Sequence, residues 1–158
     1  NKQEVLMSAE KRPGGLTALA VLNFIFSGFG FLSLLGFIAM FAFINMVPTE
    51  NMDAHAKAQI EAMQNMGAWI FIVIFVMTIV SSLLLLLSGI GYIKQKRVMG
   101  RYLGSTYGIV NILNSIVSGF FFAKELGGGF NLGTVIGLIY PVLTLILVNT
   151  TFREDLVN

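Results

Sequence analysis

The sequence predicts an all-α integral membrane protein. Four transmembrane helices form two helical hairpins in a parallel repeat, with an extracytoplasmic amphipathic helical extension between helices 1 and 2. Three observations lead there. Of the 158 residues, 56% are hydrophobic and 11% charged, whereas a soluble domain carries about 25% charged residues. The apolar residues gather in four uncharged runs, 16–47, 68–93, 102–123 and 132–152, each at or above the roughly 20 residues that cross a hydrocarbon core. Residues 21–31 (VLNFIFSGFGF) recur as 112–122 (ILNSIVSGFFF), identical at seven of eleven positions. A backbone in lipid must satisfy its own hydrogen bonds, and the runs lack the period-2 alternation of barrel strands, so they are helices.

The first element is a polar cytoplasmic tail, 1–15, ending in the break Pro13-Gly14-Gly15. Asn1 stands where a start Met would, which leaves room for an upstream piece. Helix 1 follows over 16–47, stopped by Pro48. It is far longer than a signal-peptide core and lacks a small-residue cleavage site, so it is expected to be retained. At 1.5 Å per residue it spans about 48 Å, more than the bilayer core, and should tilt, kink at Gly28 and Gly30, or protrude.

Protrusion fits the next segment. Residues 50–66 place Met52, Ala56, Gln59, Met63 and Met66 on one helical face and the ladder Asp53, Lys57, Glu61 on another. Thr49 is the expected cap. This helix should run into helix 2, 68–93, with Gly67 the only break, giving a hairpin taller than the membrane. Helix 3 covers 102–123 and helix 4 covers 132–152, so the transmembrane domain is 16–152 and the cytoplasmic C-terminal tail 153–158.

Orientation follows from charge. Lys2, Lys11, Arg12, Lys94, Lys96, Arg97, Arg101 and Arg153 flank one side, and Lys57 and Lys124 the other. The positive-inside rule then puts both termini in the cytoplasm, in a plasma or inner membrane. Tyr92, Tyr102 and Trp69 are expected interface anchors. Helices 1 and 3 run the same way, which makes the repeat parallel and its axis normal to the membrane.

The candidate sites divide by chemistry. Asn23, Ser27, Asn111, Asn114 and Ser118 are polar groups at matching depths of the two repeats. They read first as an interhelical clamp, because hydrogen bonds between helices are common in membrane bundles, and second as a polar pocket. Gly28, Gly100, Gly104, Gly108, Gly119, Gly133 and Gly137 are spaced for close approach of helix backbones, within the chain or against another subunit. Met52, His55, Met63 and Met66 form an outward partner surface. Copper binding there is disfavoured, since Met52 and Met63 lie about 16 Å apart along a helix axis.

Several functions are argued against. No Asp, Glu, Lys, Arg or His lies in the four spans, which disfavours proton pumping and voltage sensing. There is no cysteine, no Walker loop, no nucleophile elbow and no HExxH motif. The triple glycine 127–129 reads as a turn, and the Asn149-Thr150-Thr151 sequon is discarded because it falls on the cytoplasmic side. The net charge of +2 reflects topology and not a nucleic-acid surface. The expectation is a non-enzymatic protein without cofactor or metal that packs against itself, lipids or larger membrane proteins as an accessory, assembly or scaffolding subunit. The alternative is a transporter or oligomeric channel for a lipid or small neutral solute, favoured by a polar cavity between helices 1 and 3.

Overall fold

The computed structural model describes residues 13–44, 46–48, 50–65, 68–126 and 132–156; within these, the side chains of 68, 117–126, 132–134 and 136 are outside the description. The N-terminal tail 1–12, the Thr49 cap, Met66 and the break at Gly67 therefore lie outside the described residues. The described chain is helical, without strands: α1 (Gly14–Ile44), α2 (Ala54–Asn65), α3 (Ala68–Ile93), a π-helical segment Arg97–Tyr102, α4 (Leu103–Leu126) and α5 (Leu132–Asn149). Gly14–Ile44 and Trp69–Ile93 are long and apolar enough to cross a membrane.

The four long helices pack up and down. The start of α1 and the end of α3 share one core with the end of α5: Leu16, Leu19, Ala20, Tyr92, Val148, Phe152 and Leu156. At the other end of the α1–α3 pair, the rings of Phe37 and Phe41 lie 5.8 and 5.1 Å from Phe71. The core thus sits at the end carrying Lys94, Lys96, Arg97, Arg101 and Arg153, hereafter the basic end. Toward the far end an apolar groove of about 350 Å³ lies along α1 and α3 beside Phe37, Phe41 and Phe75.

Several boundaries differ from those expected. α1 stops at Ile44, not Val47, in a turn where the N–H groups of both Met46 and Val47 donate to the Phe43 carbonyl. Asp53 caps α2, which begins at Ala54 and not at Glu50: its carboxylate accepts the N–H groups of His55 (3.0 Å) and Ala56 (2.9 Å), leaving 50–52 outside the helix. The Gln64 amide donates to the Ile44 carbonyl at 2.8 Å, tying the end of α2 to the end of α1. Helical geometry after α3 resumes at Arg97, five residues before the expected start.

The C-terminal tail differs most. α5 ends at Asn149, and the chain turns back so that Phe152 and Leu156 enter the core. Two buried apolar side chains explain why the tail is not simply solvated. Tyr92 is likewise no interface anchor: it is fully buried, because Gly100 and Gly104 leave space for its ring. Tyr102 and Trp69 remain exposed, with the Arg97 guanidinium 5.6 Å from the Tyr102 ring centre.

The α3 terminus also carries a local strain. Lys96 N–H reaches the Gly91 carbonyl (2.9 Å) and Gln95 N–H the Tyr92 carbonyl (3.4 Å), the paired bonds of a Schellman cap. That motif needs a left-handed residue, here Gln95 with φ of 51°. A side chain there costs about 1 kcal/mol relative to glycine. Gln95→Gly should therefore raise stability by about 0.5–1 kcal/mol, measured by thermal unfolding in detergent.

Candidate functional site

A polar seam runs up the inside of the bundle from the core. Its lower part centres on Asn23 of α1, which is fully buried. The Asn23 amide donates to Ser88 Oγ of α3 at 2.6 Å, and its oxygen accepts a hydrogen bond from the Tyr140 hydroxyl of α5. One side chain thus joins three helices. One turn on, Ser27 Oγ donates to the Ser82 carbonyl at 2.9 Å, and Gly30 lies directly against the Ser82 hydroxyl. The buried Tyr92 hydroxyl and Thr144 Oγ1 border this seam without a hydrogen bond of ordinary geometry.

Above the seam the helices part around a cavity of about 410 Å³. Phe26 and Gly30 line it from α1, Thr78, Ser81 and Ser82 from α3, Tyr107, Asn111 and Asn114 from α4, and Gly137 and Tyr140 from α5. Tyr107, Asn111 and Asn114 recur at the four- and three-residue spacing that places side chains on one helix face. Asn111 donates to Ser81 Oγ (3.2 Å) and to the Tyr107 carbonyl (3.0 Å). Asn114 has no hydrogen-bond partner among the described residues. The Tyr140 ring, 4.5 Å from Phe26 and 6.2 Å from Tyr107, separates cavity from seam.

The two repeat asparagines therefore do different things. Asn23 is a bonded node, Asn114 faces a cavity, and they are not bonded to each other. Ser118 lies outside the described side chains, as do Gly119 and Gly133.

The remaining glycines divide in two. A Cβ on Gly100 would come within 2.8 Å of Leu156, one on Gly108 within 2.6 Å of Leu145, and one on Gly104 would overlap the Tyr92 hydroxyl. Gly28 and Gly137 face open space. Among the described residues no close approach is made at those two positions.

Sequence reasoning missed Gly91, where the backbones of α3 and the π-helical segment meet. It also missed the α3 and α5 half of the seam. The spacing of Thr78, Ser82, Leu85, Gly89 and Tyr92 at every three or four residues was the available signal. A second node lies nearer the basic end. Asn149 donates to Ser105 Oγ at 2.8 Å and accepts from Arg101 at 3.2 Å, fastening α5 to α4 and its π-helical start.

On the far side of the cavity, α2 rests its Ala56, Ile60 and Met63 side half-buried. Met52 is half-buried beside them and His55 is exposed, 3.1 Å from Gln59. Lys57 and Glu61 form an ion pair at 3.8 Å on the outer face. No cluster of three or more His, Cys, Asp or Glu residues is present among the described residues.

Residues 14–130 match the family model described as the PspC transmembrane region. The chain belongs to that family. It is accordingly a membrane protein, and its two apolar helices agree with that membership. Comparison with curated proteins gave no match, and comparison with solved structures gave none. Both copies of the repeated segment lie inside the PspC transmembrane region, whereas α5, with Tyr140, Pro141 and Asn149, lies beyond it.

Proposed function

We propose that the protein is a non-enzymatic, four-span accessory or assembly subunit with both termini cytoplasmic. Spans α1 and α3 are joined in this reading by α4, of 24 residues, and α5, of 18 residues. These lengths correspond to about 36 and 27 Å, near the thickness of a hydrocarbon core. The repeat is supported by matched environments: Leu22 and Leu113 are exposed, as are Ile25 and Ile116, while Asn23 and Asn114 turn inward. The orientation rests on the basic residues collected at one end of the bundle. The non-enzymatic reading rests on the absence of Asp, Glu, Lys, Arg and His from 16–47, 68–93, 102–123 and 132–152.

The observation that carries the accessory role is the outer face of α1. Phe29, Leu32 and Leu35 are each more than 60% exposed, and Gly28 and Gly36 beside them face open space. Lipid gives no reason for glycine on such a face, whereas a second helix approaching closely does. The full-length protein extracted in mild detergent should run as a complex larger than one chain in native mass spectrometry. Gly28→Leu should release the single chain without lowering its melting temperature. A wild-type protein that runs alone sinks the accessory role.

One observation favours a second reading, in which the bundle admits a lipid or small neutral solute. That is the cavity itself, bordered by α1 and α4 and lined with unpaired polar groups.

A further inference from the structure

We propose that the mid-bundle cavity is a binding site for an uncharged, hydroxyl-bearing group, held by Tyr107, Asn111, Asn114 and the main-chain carbonyl of Gly137. This rests on the second reading above and is independent of the accessory role.

The donors and acceptors are already in place. Tyr107 and Asn114 line the cavity with no side-chain hydrogen-bond partner among the described residues. Asn111 uses its amide N–H groups on Ser81 and on the Tyr107 carbonyl, which leaves its oxygen as an acceptor. Pro141 supplies the fourth group. It sits inside α5 and has no N–H, so the carbonyl of Gly137, four residues earlier and on the cavity wall, lacks its α-helical donor. Polar groups left without partners at membrane depth are costly, and a ligand carrying hydroxyls would satisfy them.

The wall also sets the charge and size of the ligand. None of the lining residues is ionisable at neutral pH in the sense of carrying charge, so a bound ion would be desolvated without a counter-charge. A volume of about 410 Å³ falls within the roughly 300–1,000 Å³ of small-molecule sites. Phe26, Met77 and Leu85 complete the wall with apolar surface suited to the carbon skeleton of a sugar or glycerol unit. Such a group could arrive as a lipid headgroup or as a free polyol.

Gly137 provides a variant that should fold. A Cβ there meets nothing within 4 Å, so Gly137→Leu adds bulk at the cavity wall with no clash at its first side-chain atom. The full-length protein, in a detergent without sugar groups, is mixed with dioleoyl glucosyl-diacylglycerol or dioleoyl phosphatidic acid, and bound lipid is read by native mass spectrometry. The wild type should retain the glucosyl lipid in preference to the phosphatidic acid. Gly137→Leu and Asn114→Leu should weaken retention by about tenfold or more while melting within a few degrees of wild type. Competition by methyl glucoside would identify a free polyol as sufficient, and its failure to compete would identify the lipid as the source. Equal retention of the two lipids, no retention of the glucosyl lipid, or unchanged retention by a folded Gly137→Leu protein would overturn the proposal. Loss of the larger complex in Gly28→Leu, or its absence in the wild type, leaves this readout unaffected.

Discussion

Asn23→Leu is expected to destabilise the bundle by about 2 kcal/mol, while Asn114→Leu shifts stability by no more than about 0.5 kcal/mol. The two residues are equivalent in the repeat, so the asymmetry arises from their surroundings. Asn23 is fully buried and makes one bond as donor and one as acceptor, to helices on either side of α1. Leucine removes both and leaves the Tyr140 hydroxyl facing an apolar side chain. Within lipid there is no hydrophobic drive between helices, so packing and interhelical hydrogen bonds carry association, at up to about 1–2 kcal/mol per bond. Asn114 has no bond to lose among the described residues. Combining Asn23→Leu with Tyr140→Phe should give less than the sum of the two, with a coupling of about 1 kcal/mol. Reversible unfolding in mixed micelles measures all three. Equal losses at Asn23 and Asn114 would mean that both asparagines are clamps.

Gly91→Ala is expected to have an effect of similar size, up to about 2 kcal/mol of net destabilisation. Alanine is favoured over glycine within a helix by about 1 kcal/mol, so the substitution begins with a gain. At Gly91 the new methyl would overlap the Gly100 nitrogen and the Met99 carbonyl carbon. Both belong to the backbone of the π-helical segment, which has no rotamer with which to yield. Overpacking of this kind costs about 1–3 kcal/mol or more, and the hairpin cap beside it constrains any relaxation. Gly28→Ala is the control of opposite sign. With open space around it, only the propensity gain of up to about 1 kcal/mol remains. Thermal unfolding of the two variants side by side checks the pair; a Gly91→Ala protein as stable as wild type would mean that the two backbones do not meet.

Much of this arrangement is legible in the letters, and the reasons for the remainder are physical. Apolar runs mark α1 and α3, and also α4 and α5, because the long helices of a membrane protein carry few charges, a demand that acts on composition. Their ends are less legible because caps depend on local geometry. α2 starts after Asp53 and not at Glu50 because that carboxylate reaches two N–H groups. Leu156 is buried because the chain turns back after Asn149, which no periodicity announces. Asn23, Ser27, Asn111 and Asn114 could be named as inward polar groups, since an amide in lipid needs a partner. The partners of the first three, Ser88, Tyr140, Ser82 and Ser81, lie 30 to 117 residues away, and a linear sequence holds no record of such pairing. Gly91 was passed over for a similar reason: it has no four-residue ladder of glycines, only one backbone opposite it.

The central claim is a four-span bundle with both ends on the cytoplasmic side, and cysteine accessibility tests it most directly. The chain has no cysteine, so single replacements Lys57→Cys, Lys96→Cys, Gly128→Cys and Arg153→Cys in intact cells give clean signals with a membrane-impermeant maleimide. Positions 57 and 128 should label from outside, and 96 and 153 only after permeabilisation. If position 128 labels only after permeabilisation, α4 and α5 do not cross, and the four-span account is wrong.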